Sequence, residues 1–207
     1  MTAPAAAGAD VETIARAHAE AGRWHDATAA ALHGYGPELI DYLIAIARSD
    51  TDGSDAFAQF SVDLWRGLPT FRWEASLRTW CYTLARHALT RLQRAPARRR
   101  VVALESAELA NLAEQVRTRT VTHLRTEVKD RVRELRAQLS PEAQSILVLR
   151  IDRNLPWRDV VRVLADEREA LTEPELVRRS AALRKRFEGI KQDLRRLVEA
   201  AGLGSRE

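Results

Sequence analysis

Between Leu64 and Arg94 the chain reads LWRGLPTFRWEASLRTWCYTLARHALTRLQR. Trp65, Phe71, Trp73, Trp80 and Tyr82 alternate here with Arg66, Arg72, Arg78, Arg86, Arg91 and Arg94, against the single acid Glu74. Aromatic faces that take up unstacked bases, interleaved with cations that hold phosphates, are the side chains that single-stranded nucleic acid binding needs. That chemistry is non-covalent, and no other motif in the chain competes with it. There is no phosphate-binding glycine loop, nucleophile elbow or metalloprotease motif. His18, His25 and His33 are spaced seven and eight apart, which suits no common zinc pattern, and Cys81 is the one cysteine. The run Asp50-Thr-Asp52-Gly53-Ser-Asp55 has its glycine at the fourth place where a calcium loop needs it at the sixth. Hence no catalytic residue, metal site or cofactor is expected, and the chain is not read as an enzyme.

The charge is segregated along the sequence. Residues 1–64 carry three Lys/Arg against ten Asp/Glu, whereas residues 65–100 carry nine Arg against one Glu. A second basic block, residues 178–196, holds eight Lys/Arg and two acids, although the whole chain nets only +4. A solvated surface is the ordinary explanation of a charge run. Blocks of opposite sign instead allow an acidic face for one partner and basic stripes for another.

The elements that position these residues read as helices throughout, with no sustained period-two alternation, so an all-α fold is expected. Val11–Leu32 is Ala-rich and reads as one helix. Pro37 opens a second, with Leu39, Ile40, Leu43, Ile44 and Ala47 at helical spacing. The stretch Ser49–Asp55 reads as a turn, and Ala56, Phe57, Phe60 and Leu64 mark another amphipathic face that Pro69 ends. Leu77, Cys81, Leu84, Ala88 and Leu92 form the apolar stripe of the basic helix. Thr83, Arg86, His87, Thr90, Arg91 and Arg94 then fall on its other side, free to face nucleic acid. Arg94–Arg100 reads as a domain exit, and Val101–Arg119 as a linker with a helical turn or two. From Val121 the apolar residues Leu124, Val128, Val132, Leu135 and Leu139 share a face.

Ser140 with Pro141 signals an N-cap and first helical residue, and Ile146, Leu147, Leu149 and Ile151 fill the helix they open. Asn154 and Pro156 separate it from a short helix, Trp157–Ala165. Thr172 and Glu175 form a capping box at the head of a last helix running to about Ala200. Leu176, Leu183, Phe187, Ile190, Leu194 and Leu197 lie on one face of that helix. Arg178, Arg179, Lys185 and Arg186 lie on the other. This is a helix-turn-helix pattern with a long turn: Thr172–Arg179 would read bases in the major groove, and Lys185 and Arg186 would hold phosphates.

At 207 residues, with 45% apolar and 30% charged residues, the chain can hold two small helical domains and is neither disordered nor membrane-spanning by composition. The N-terminus MTAPAAAGAD lacks the basic and apolar regions of a secretory signal, and a lone cysteine fits a reducing cytoplasm.

Tyr35-Gly36-Pro37 with Tyr42-Leu43, Asp55 followed by Leu64-Trp65-Arg66, Leu68-Pro69 with Phe71-Arg72, Glu74-Ala75-Ser76, Arg78-Thr79-Trp80, Tyr82 and Ala85-Arg86 together resemble the promoter-melting domain of extracytoplasmic-function (ECF) sigma factors of bacterial RNA polymerase. Leu139-Ser140-Pro141, Ile146–Arg150 and the helix-turn-helix after Pro156 are similar to that family's second domain. The first block is specific; the second is shared by many regulators.

The resemblance implies four segments: an N-terminal helical extension (1–30), a domain that docks on core RNA polymerase and melts the minus-ten element (31–95), a linker (96–122) and a helix-turn-helix domain for the minus-thirty-five element (123–204). It implies polymerase contacts from Asp55, Gln59, Asp63 and Trp65, although Trp65 also suits a core anchor. Single-stranded minus-ten DNA would meet Phe71, Arg72, Trp73, Trp80, Thr83, Arg86, His87, Arg91 and Arg94. Duplex minus-thirty-five DNA would meet Thr172, Glu175, Arg178, Arg179, Lys185 and Arg186. Core polymerase and promoter DNA are the implied partners, and an anti-sigma factor is left open as a third. The chain departs from the family at Ala58 and Gln59, where Gln and an acid are usual, and at His87 and Arg91, where Asn and Asp are common. Two other readings remain: a helix-turn-helix regulator that binds duplex DNA without polymerase, and a helical module whose basic faces meet an acidic protein. Neither explains the aromatic, arginine-rich loop at the chain's centre.

Overall fold

The computed structural model describes residues 5–94, 107–123, 134–167 and 169–202. Every regular element among them is helical, and the chain divides into two compact units, residues 1–124 and 125–207. The all-α, two-unit architecture expected from the sequence is therefore the one found.

Unit 1 begins with α1 (Ala5–Glu20) and α2 (Trp24–Ala47). The single helix expected over Val11–Leu32 is instead broken at Gly22, which takes a left-handed φ of +71°. Gly22 N–H donates to Ala19 O at 2.9 Å and Arg23 N–H to His18 O at 2.9 Å. This is the glycine-terminated helix end in which the residue after the cap bonds back across the last turn. Conversely, Pro37 does not open a helix but lies inside α2, at the loss of one backbone donor. The boundary expected between residues 30 and 31 thus falls within a continuous helix, and α1 packs against α2 as part of the same unit.

The next helix, α3 (Asp50–Gly67), starts where a turn was expected. The Ser49 hydroxyl accepts from Asp52 N–H at 3.1 Å, and Asp50 and Asp52 occupy the first turn, where the helix dipole favours negative charge. Gly53 is needed there: a Cβ would sit 2.8 Å from the backbone N and Cα of Ile44, so α2 and α3 meet backbone against side-chain-free backbone. A 3-10 turn, Leu68–Thr70, carries Pro69 and ends the segment. After the loop comes α4 (Leu77–Arg94).

Between the two basic stretches, where a linker with a helical turn or two was expected, lies a full helix, α5 (Ala107–His123). Leu109, Ala113 and Val116 are buried at i, i+4, i+7 spacing, and α5 packs on α2 and touches α3. Two of those three side chains are small, so the apolar periodicity is faint in the sequence. The remaining linker residues, 95–106, lie outside the described residues, as does most of the stripe expected at Leu124, Val128 and Val132.

Unit 2 contains α6 (Pro141–Leu147), α7 (Trp157–Leu164) and α8 (Glu173–Ala200). Ser140 caps α6 by accepting from Ala143 N–H at 3.2 Å, with Pro141 in the first turn, as expected. The chain then widens into a π-turn, Val148–Asp152. Leu149 is buried there but Ile151 is 54% exposed, so Ile151 does not join the core it was assigned to. Asn154, at φ +52°, turns the chain toward α7. The core gathers Leu139, Ile146, Leu147, Phe187 and Ile190, with Trp157 and Leu183 packed at its edge. Trp157 meets Phe187 edge-to-face at 5.2 Å.

Candidate nucleic-acid interface

The loop between the 3-10 turn and α4 is built around three aromatic rings. Phe71 stacks on Trp80, with ring centroids 4.4 Å apart and planes at 16°, and Trp73 tilts against Phe71 at 5.0 Å. Trp80 projects from the first turn of α4 beside Gly67, whose lack of a side chain admits the indole: a Cβ there would lie 3.0 Å from the ring. All three rings are half-buried, each keeping part of its face toward solvent. Trp73 holds a left-handed φ of +58°, a region a bulky side chain enters at a cost of about 1–2 kcal/mol. Arg16 of α1 lies over the Trp73 ring at 5.3 Å. Arg72 is 84% exposed, with Glu74 at 3.9 Å.

The loop is aimed by the start of α4. The Ser76 hydroxyl accepts from Thr79 N–H at 3.0 Å, and Leu77 N–H donates to both carboxylate oxygens of Glu12 at 2.8 and 2.9 Å. A carboxylate on the open donors of a helix N-terminus is a strong, charge-assisted arrangement. Tyr35 reaches the same carboxylate at 3.4 Å; burial first, and Glu12 next, push the Tyr35 phenol far above its ordinary range. Arg78 forks onto Glu38 of α2 through Nε and Nη2, both at 2.7 Å; this hydrogen bonding raises an already high pKa. Neither Glu12 nor Arg16 was singled out in the sequence, because only the fold brings α1 to the head of α4.

Along α4 the buried side is Leu77, Cys81, Tyr82, Ala85, Ala88 and Leu89, while Leu84 and Leu92 are half-buried. The core stripe is therefore rotated from the expected Leu77–Leu92 line toward Tyr82 and Ala85. His87, expected to face nucleic acid, is only 9% exposed although it lies off both the expected and the observed apolar stripe of α4. Thr83 and Arg86 are half-buried and Arg94 is exposed; the Thr83 hydroxyl bonds back to Thr79 O at 3.0 Å. Arg91 is ion-paired with Asp63 of α3, and Gln59 donates to the same carboxylate at 2.8 Å. Arg91, from the expected DNA-facing set, thus meets Gln59 and Asp63, from the expected polymerase-facing set, at one seam. Asp55 is half-buried on α3, and Trp65, also half-buried, meets His25 edge-on at 6.3 Å. Cys81 is fully buried, which with Glu12 and Glu38 nearby pushes its thiol pKa well up and leaves it a packing residue.

In unit 2 the expected capping box is present. The Glu175 carboxylate accepts from Thr172 N–H at 2.9 Å and from the Thr172 hydroxyl at 2.7 Å, which holds its pKa below the ordinary carboxylate value. Arg178 and Lys185 are exposed on α8. Arg179 is tied to Glu169 in the preceding turn, whose carboxyl is thereby lowered, and Arg186 forks onto Glu142 of α6 at 2.6 and 2.9 Å. Thr172, Pro174, Glu175 and Arg178 line a small concavity at the head of α8. Beside it Val177 is 59% exposed, an apolar contact that the sequence reading passed over because a lone valine off the core stripe carries no pattern.

Among curated proteins the chain matches RNA polymerase sigma factor YlaC of Bacillus subtilis (strain 168), 25% identical over 131 residues. The chain is similar to a sigma factor. The aligned part is 63% of this chain and 75% of that protein. No family model and no solved structure matches. The resemblance to sigma factors read from the sequence thus agrees with this relative.

Proposed function

We propose that this chain is a sigma factor of the ECF class, directing core RNA polymerase to promoters and opening the minus-ten element. The observation that carries the reading is the Phe71–Trp73–Trp80 cluster. Phe71 stacked on Trp80, with Trp73 tilted against Phe71 and the exposed Arg72 between them in sequence, forms a platform on which an extruded base continues the stack. The left-handed backbone at Trp73 is strain kept at a working site. Melting DNA needs such a platform because each unpaired base loses its neighbours, and stacking on a side chain returns about 1–3 kcal/mol per base.

In this reading Asp55, Gln59, Asp63 and Trp65 face polymerase. Phe71, Arg72, Trp73, Trp80, Thr83, Arg86, Arg91 and Arg94 serve the unpaired strand; His87 leaves the set because it is covered. The head of α8 enters the major groove of the minus-thirty-five element. There Thr172, Glu175, Arg178 and Arg179 approach base edges, Val177 meets a thymine methyl, and Lys185 and Arg186 hold phosphates. Arg179, Arg186 and Arg91 each have an acidic neighbour in the free chain. The Arg179 and Arg186 pairs are exposed, and such pairs are weak, so a phosphate displaces their carboxylates readily; the part-buried Arg91–Asp63 pair yields less easily. The cell compartment is the cytoplasm, where polymerase works; no helix among the described residues is long and apolar enough to cross a membrane.

Band shifts on duplex and fork-junction promoter DNA, with and without core polymerase, test the proposal. A shift that needs polymerase and favours the fork supports it. Tight duplex binding by the chain alone would make it a conventional helix-turn-helix regulator, and no binding in either condition would make it a protein-interaction module.

A further inference from the structure

Helix α5 is the largest feature of unit 1 for which the proposed function has no use. Residues joining a melting domain to a duplex-reading domain need only span a distance. Here they form a 17-residue helix laid on α2. The seam is shaped for it: a Cβ built on Gly36 of α2 would come within 2.7 Å of Val116 Cγ1, so with valine at 116 any side chain at position 36 would hold α5 away. Leu109 is fully buried in this seam, and Ala113 and Val116 nearly so.

Both ends of α5 reach the surroundings of the proposed polymerase-facing residues. At one end the Glu108 carboxylate lies 3.3 Å from His25 Nε2, and the His25 ring meets Trp65 edge-on. At the other end Arg117 lies in the field of Asp55, which reinforces the positive charge that its hydrogen bond to Glu114 already secures.

We propose that α5 is a latch: in the free chain it covers the α2–α3 surface beside Asp55 and Trp65, and it must lift away for core polymerase to dock. The inference rests on the sigma-factor reading and adds a regulation of that same surface. The seam suits a reversible contact. Its buried side chains are one leucine, one alanine and one valine, while Asn111, Glu114 and Gln115 remain exposed. The Arg117–Glu114 pair lies within α5, so the helix keeps that support when released. A closed latch lowers the apparent affinity for polymerase by the fraction of chains that are open. A second partner that captures α5 would then activate the chain without touching DNA.

The geometry supplies its own test. The Cβ built on Gly36 is 3.6 Å from Val116 Cβ, within the roughly 3.5–4.5 Å that a disulfide spans. The full-length double variant Gly36→Cys/Val116→Cys is oxidised with glutathione disulfide and freed of oxidant. A thiol count confirms closure, with the buried Cys81 remaining reduced. Binding to core polymerase is then measured by fluorescence anisotropy. The oxidised chain is expected to bind about tenfold or more weakly than the same chain after dithiothreitol. Separately, Leu109→Asp, which expels α5, is expected to bind about fivefold more tightly than the unsubstituted chain, with its helical circular dichroism largely kept. Equal affinity of the oxidised and reduced forms, a crosslink that does not close, or an unchanged or weaker affinity for a folded Leu109→Asp chain would each overturn the latch. If the unsubstituted chain itself fails to bind core polymerase, the sigma-factor reading fails first and the latch goes with it. If it binds and the disulfide has no effect, only the latch fails.

Discussion

Replacing Trp73 by glycine separates folding from function at the aromatic loop. The left-handed backbone at Trp73, φ +58°, costs an indole-bearing residue about 1–2 kcal/mol, which glycine does not pay. Against that gain stand three losses: the tilted contact with Phe71 at 5.0 Å, about 0.5–1.5 kcal/mol; the Arg16 contact at 5.3 Å, about 0.5–1 kcal/mol; and the extra unfolded-chain freedom of glycine, about 0.5–1 kcal/mol. The losses total about 1.5–3.5 kcal/mol against a gain of about 1–2, so Trp73→Gly is expected to destabilise unit 1 by about 1 kcal/mol, and by no more than about 2.5, in urea titrations. Promoter opening is expected to respond quite differently. Losing one stacking surface for an unpaired base removes about 1–3 kcal/mol, or roughly 5–150-fold in the open-to-closed ratio. Permanganate reactivity of thymines in the minus-ten region reads the open complex, and a band shift with core polymerase at low temperature reads the closed one. A large fall in both, or in neither, would refute the reasoning: the first makes the loop a general docking element, the second makes it inert.

Three further outcomes are expected. Glu12→Ala removes the acceptor that both oxygens provide to Leu77 N–H at 2.8–2.9 Å and should destabilise the chain by about 1–3 kcal/mol in urea titrations; an unchanged midpoint would show that the α1–α4 contact carries no weight. Arg178→Ala should weaken polymerase-dependent promoter binding by about 1–3 kcal/mol and relax preference at one base pair of the minus-thirty-five element; a uniform loss across promoter sequences would make it a phosphate contact. Glu175 has its carboxyl depressed by the Thr172 N–H and hydroxyl, so its support of the α8 N-terminus is full above the ordinary carboxylate range, near pH 4.3, and is lost as pH falls through the depressed value. Glu175→Gln should therefore flatten the acid limb of unit 2 unfolding, and an identical acid limb would count against the capping box as its source.

The sequence disclosed the helical class because the apolar spacings of Leu39–Ala47, Ala56–Leu64 and Leu176–Leu197 are three- and four-residue spacings that only helices satisfy. Ser140-Pro141 and Thr172…Glu175 marked two helix starts because caps are local chemistry between neighbours. What stayed hidden depended on tertiary contact. Gly22 ends α1 although the flanking residues favour helix, and Pro37 sits within α2 where local rules would end or open a helix there. Ser49 and Asp52 could have been read as a cap; the cluster Asp50–Asp55 looked like a turn because five polar residues and a glycine also suit one. Helix α5 was read as no more than a turn or two because Ala113 is small and Val116 fits against the notch at Gly36, a contact that only the fold supplies. The aromatic loop was legible as composition, but its contacts were not: nothing local says that Phe71 touches both Trp73 and Trp80. His87 was misplaced because it lies off the apolar stripe of α4 and is covered all the same, which no spacing within α4 announces.

The central claim is that this chain redirects RNA polymerase. Core enzyme with and without the full-length chain, transcribing a fragmented genomic template, with every RNA 5′ end sequenced, tests it most directly. The account predicts a discrete set of start sites that arise only when the chain is present, preceded by shared sequence near minus ten and minus thirty-five, and that vanish with Trp73→Gly. The same start sites with and without the chain would contradict it.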